Sequence, residues 1–141
     1  MNKKQTNTDH TILPKDTIQQ LIRYAKLEKP EIYHLLGTWY LEGKHVKKNL
    51  KRAISFFKKA ADEDVIEAVY QLALHHQSGI GTPQDAQEAH RLFTKAALNG
   101  HPPSAQKVAD IYASKPKTKK NKKLATLWAQ YAKGTLIPIP L

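Results

Sequence analysis

Apolar side chains recur along this chain at spacings of three, four and seven, the spacing of one face of an α-helix. The same pattern then repeats as a block. FFKKAADED (56–64) falls onto LFTKAALNG (92–100), and LLGTWYLEG (35–43) falls onto QLALHHQSG (71–79) and then KVADIYASK (107–115), always at an offset of 36 residues and without a gap. Leu36, Leu72 and Val108 form one apolar column, with Gly37, Ala73 and Ala109 beside it and Tyr40, His76 and Tyr112 three residues on. In the second half of each block Ala53, Ala89 and Ala125 align, as do Phe56, Leu92 and Trp128, and then Ala60, Ala96 and Ala132. Small residues held at one register mark a close helix crossing, because a larger side chain there would force the helices apart. Each block therefore predicts a helical hairpin, helix A followed by helix B.

The punctuation fits that reading. Gly43 and Gly79 end helix A, where a left-handed closing residue suits glycine. Pro83 and Asp85 prepare the second helix B, Gly100 closes it, and Pro102 and Pro103 open the next hairpin. Asp16 is placed to cap the amphipathic stretch TIQQLIRYAKL, which ends before Pro30. The expected organisation is a flexible N-terminus (1–13), a capping helix (14–30), three repeats (31–66, 67–102 and 103–134) and an extended apolar tail (135–141). The fold class is all-α: a solenoid of antiparallel hairpins with about seven helices in a right-handed superhelix. The tail carries Pro138 and Pro140 and cannot continue a helix; it folds back over the last hairpin or docks on a second copy.

These residues resemble a known family. Leu36, Gly37, Tyr40 and Gly43, then Ala53, Phe56, Phe57, Ala60 and Ala61, are similar to the hairpin of the Sel-one-like repeats (SLR), relatives of the tetratricopeptide repeats. The second copy keeps Leu72, Gly79, Gly81, Ala89, Phe93, Ala96 and Ala97; the third keeps Tyr112, Ala125, Trp128 and Ala132 but loses the loop glycines. The resemblance implies a scaffold that holds peptides or partner proteins, without enzymatic activity. A cysteine-rich branch of the family is associated with β-lactams, and this chain has no cysteine.

Composition narrows the picture further. Without cysteine there are no disulfides, thiolate zinc sites or cysteine nucleophiles. The N-terminal stretch lacks the apolar core of a secretory signal and no later segment approaches a membrane span, so the expected location is the cytoplasm, with no membrane partner. Lys and Arg outnumber Asp and Glu by 23 to 12, a formal charge of +11 that favours acidic partners and a monomer or weak homodimer. No catalytic group, metal site or cofactor is expected. His75 and His76 are adjacent on a helix and point about 100° apart, so they and His90 are poorly arranged for one ion. His76 takes the tyrosine column and is read as packed; Trp39 shares a column with His75 and Ile111 and is read as core. Asp62, Glu63 and Asp64 read as a solvated helix end.

Two surfaces remain as candidates. Beside the packed face of helix A runs a stripe expected on the concave side of the stack: His34, Thr38 and Leu41, then Tyr70, Leu74 and Gln77, then Gln106 and Asp110. Leu41, Tyr70 and Leu74 amid polar neighbours suit a peptide groove; the alternative is that Tyr70 or Leu74 serves packing between repeats. The second surface is a basic edge of loops between helix A and helix B. Lys44, Lys47, Lys48, Lys51 and Arg52 supply it from the loop and the start of helix B in the first repeat, and Lys115, Lys117, Lys119, Lys120, Lys122 and Lys123 from the same loop in the third. The function expected is protein or peptide binding through helix A, in regulation, virulence or toxin neutralisation. The alternative is binding of nucleic-acid phosphates by the lysine edge, although its loops hold no aromatic residue for base stacking.

Overall fold

The structure, a computed structural model, describes residues 12–135. The expectations for residues 1–11 and 136–141, including the fold-back or docking of the tail, lie outside these described residues. Among the described residues seven helices follow one another: α1 (Lys15–Leu27), α2 (Glu31–Glu42), α3 (Leu50–Asp62), α4 (Ile66–Ser78), α5 (Ala86–Leu98), α6 (Pro102–Ser114) and α7 (Lys119–Ala132). Among the described residues there is no strand, so the chain is all-α as its periodicity predicts. It divides into two compact units, Met1–Ala68 and Val69–Leu141, with the division inside α4.

In the first unit α1 packs on α2, and α2 on α3. The α3 face Ala53, Ile54, Phe56, Phe57, Ala60 and Ala61 is buried against Tyr33, Leu36, Gly37 and Tyr40 of α2. Phe56 stacks with Tyr33 and Tyr40, at ring separations of 6.2 and 5.6 Å. The small residue at Gly37 permits this crossing: a Cβ there would stand 2.6 Å from the Phe57 ring. In the second unit α5 packs on α6 and α6 on α7, with Leu92, Phe93, Val108 and Trp128 at the centre and Ala89, Ala96, Ala97, Ala105 and Ala109 between the helices. Ala125 and Ala132 are only half-buried.

Side chains close the helix N-termini as the sequence suggests for Asp85, which accepts from Glu88 N–H at 3.0 Å. Asn49, His101 and Thr118 do the same for α3, α6 and α7. The expected cap by Asp16 is corrected. Pro14 holds φ at −59° and ψ at 151°, α1 begins directly after it with no side-chain cap, and Asp16 lies in the first turn. There its carboxylate sits near the positive end of the helix.

Gly43 and Gly79 close α2 and α4 in the left-handed region, at φ 73° and 75°. Two non-glycine residues share that region, His45 at 65° and Asp64 at 59°. Each lies 36 residues before a left-handed glycine, Gly81 and Gly100. The backbone repeat is therefore tighter than the sequence repeat. Leu13, assigned by sequence to a flexible N-terminus, is instead tied down: its N–H donates to His45 O at 2.8 Å. Trp39 also departs from expectation. It is half-buried, and its ring meets that of His45 edge-on at 4.7 Å.

Candidate partner-binding site

Of the expected stripe positions, His34, Thr38 and Leu41 fall on α2 in the first unit, while Tyr70, Leu74 and Gln77 on α4 and Gln106 and Asp110 on α6 fall in the second. In the first unit His34, Thr38 and Leu41 are half-buried. His34 lies 5.7 Å from the Phe57 ring, and its backbone carbonyl accepts from Thr38 Oγ1 at 3.1 Å. Burial pushes the His34 pKa below the ordinary histidine value, and Glu67 partly offsets the shift. In the second unit Gln77, Gln106 and Asp110 are exposed, and Gln106 Nε2 donates to Asp110 at 3.0 Å. Leu74 is half-buried. Tyr70 is not a free groove residue. Its ring lies between Phe93 at 5.8 Å and His101 at 4.8 Å, so much of it serves packing at the start of α6. Leu35 is an exposed apolar residue on α2 that lies outside the stripe.

The lysines divide in a way that sequence spacing does not reveal. All five basic residues of the first loop and the start of α3 are exposed. Lys119, Lys120, Lys122 and Lys123, expected in the third loop, lie instead in the first turns of α7, which Thr118 caps. Lys47, Lys48 and Arg52 line a cleft of about 600 Å³, joined there by Lys15 and Ile12, while Lys44 and Lys51 lie outside it. Arg52 lays its guanidinium over Tyr40, 4.7 Å from the ring centre. In the second unit Lys115, Lys117 and Lys122 line a smaller cleft of about 310 Å³ with Tyr112 and Asn121; Lys119, Lys120 and Lys123 are exposed outside it. Lys115 covers Tyr112 at 5.1 Å. Tyr40 and Tyr112 hold one column of the repeat, and each carries a cation over its ring, Arg52 from the start of α3 and Lys115 from the end of α6.

The histidines do not assemble. His75 Nδ1 meets Ile80 O at 2.9 Å, and His76 Nδ1 is buried without a hydrogen-bond partner. His90 packs edge-on against Tyr112, and burial, helped by Lys115, holds its pKa below the ordinary value. Among the described residues no three His, Cys, Asp or Glu side chains are grouped to hold a metal ion. No described helix is long and apolar enough to cross a membrane.

The Sel1 repeat model matches residues 30–65 and 66–101, just over half of the chain. The protein belongs to the Sel1 repeat family. Sel1 repeats mediate protein–protein interaction. Among curated proteins, Protein SHC1 of Saccharomyces cerevisiae is 34% identical over 79 residues, 56% of this chain and 15% of that protein. Chitin synthase regulatory factor 2 of Schizosaccharomyces pombe is 34% identical over 83 residues, 58% of this chain and 16% of its own length. The chain thus spans about a sixth of the curated relatives it matches. A protective antigen of uropathogenic Escherichia coli with an SLR fold superposes with a TM-score of 0.74 at 30% identity, over 83% of this chain and 25% of that one. The Sel1 family model does not extend over α6 and α7, where the loop glycines have been replaced.

Proposed function

We propose that this Sel1 repeat protein is a non-enzymatic adaptor that binds a protein or peptide along the stripe of its A helices, in a regulatory role. The observation that supports the reading lies in the second unit, where α4 and α6 carry the half-buried Leu74 and the exposed Gln77, Gln106 and Asp110 at stripe positions. A peptide laid on such a row gains apolar contact and polar register together. Regulation is favoured because two of the relatives carry it in their names, chitin synthase regulatory factors 2 and 3. Binding of nucleic acid has weaker support, since the rings nearest the lysine loops are already covered by Arg52 and Lys115.

Selection from a phage-displayed random peptide library tests the proposal, because it requires no identified partner. Peptides selected on the parent protein should bind the variant Gln77→Ala/Gln106→Ala/Asp110→Ala about tenfold more weakly. All three positions are exposed, so helicity should be unchanged. Equal affinity for the variant would remove the A-helix stripe as the binding surface.

A further inference from the structure

The cleft of the first unit has a composition that the A-helix stripe does not explain. It is bounded by the segment before α1, the first turns of α1 and the loop from α2 to α3. Its apolar lining, which we take as the floor, comes from the exposed Ile12 and half-buried Leu13 with the buried Ile18 and Val46 beneath. Its rim is cationic, from Lys15, Lys47, Lys48 and Arg52, all exposed. Among the described residues no carboxylate lines it; Asp16 borders a separate shallow depression with Gln20 and Arg23.

The backbone under the rim is fixed. Leu13 N–H donates to His45 O at 2.8 Å, and His45, held at φ 65°, packs its ring on Trp39. Asn49 N–H donates to Tyr40 O at 2.9 Å, while its side chain caps α3. A loop braced at both ends loses little freedom when a ligand arrives. Four like charges around one cleft repel one another, and an anion placed among them relieves that cost.

We infer that this cleft is a second docking site, for an acidic peptide segment that carries an aliphatic anchor side chain. The rim selects carboxylates, and the floor takes the anchor, which a small anion alone would leave unused. A volume of about 600 Å³ is enough for two or three side chains. A nucleic acid fits less well: Tyr40 is 7% exposed and lies under Arg52, so no free ring is offered to a base. The inference stands apart from the A-helix stripe, since it shares no residue with it.

Fluorescence anisotropy on the full chain tests it with a fluorescein-labelled hexapeptide, Glu-Glu-Leu-Leu-Glu-Glu. The controls are the same peptide with serine for leucine and a short labelled oligothymidylate. The leucine peptide should bind, and the serine peptide should bind several-fold more weakly. Lys15→Glu/Lys48→Glu should weaken the leucine peptide about tenfold or more, and Ile12→Ser several-fold. All three positions are exposed, so circular dichroism should be unchanged. Absence of binding, equal binding of the serine peptide, or indifference to Lys15→Glu/Lys48→Glu would each overturn the proposal. So would tighter binding of the oligothymidylate, lost in the same variant, which would assign the cleft to nucleic acid.

Discussion

Gly37 sits at the centre of α2, where a glycine ordinarily costs about 1 kcal/mol relative to alanine. The other two repeats place alanine at this register, Ala73 and Ala109. Two effects therefore compete at Gly37→Ala. Helix propensity favours the substitution, but the new Cβ would stand 2.6 and 2.7 Å from two atoms of the Phe57 ring, which has no exposed surface to retreat into. Overpacking of a filled core costs about 1–3 kcal/mol and outweighs the propensity gain. Urea denaturation should show Gly37→Ala less stable by about 1 kcal/mol; a raised midpoint would mean that α2 and α3 cross with room to spare. Position by position, the alanine and aromatic columns were legible because each residue type answers to one local demand. His45 and Asp64 were not, since a left-handed backbone on a histidine or an aspartate leaves no mark in a hydrophobic pattern.

At the scale of the element, helix positions followed from periodicity and from Asp85, Gly43, Gly79 and Pro102. Errors gathered where a neighbour in space decides. Asp16 lies inside the first turn that Pro14 opens, and of the two readings left open for Tyr70 the contacts with Phe93 and His101 favour packing. The last helix, α7, carries a local conflict that can be measured. Lys119, Lys120, Lys122 and Lys123 crowd its first turns, which contain no acidic residue. The N-terminus of a helix behaves as roughly half a positive charge, so lysines there oppose it. Lys119→Glu and Lys120→Glu should each stabilise the protein by about 0.3–1 kcal/mol at low ionic strength, read by thermal denaturation, and the gain should fade as salt is added. No gain at low salt would mean that α7 does not limit the stability of the second unit.

Across the whole molecule, charge is the property that sequence reports best and folding distributes least evenly. The first unit holds thirteen basic against nine acidic side chains, the second ten against three. Lys47, Lys48 and Arg52 of the cleft rim were legible as a basic run, but Lys15 and the floor were not. Ile12 and Leu13 reach the loop through one backbone hydrogen bond to His45, a contact across 32 residues that no periodic pattern encodes. A chain with an excess of eleven positive charges repels itself when compact, and screening relieves that repulsion. Salt also weakens attractive pairs, yet an exposed pair such as Arg91 with Glu88 is worth at most about 1 kcal/mol. Repulsion should prevail. Raising NaCl from about 0.05 M to about 0.5 M should stabilise the protein by about 1 kcal/mol, a shift of several degrees in Tm. The variant Lys117→Glu/Lys120→Glu/Lys123→Glu removes six units of the excess and should lose most of that increment. If its salt response matched the parent's, the stabilisation would come from strengthened apolar burial rather than from screening of the lysines.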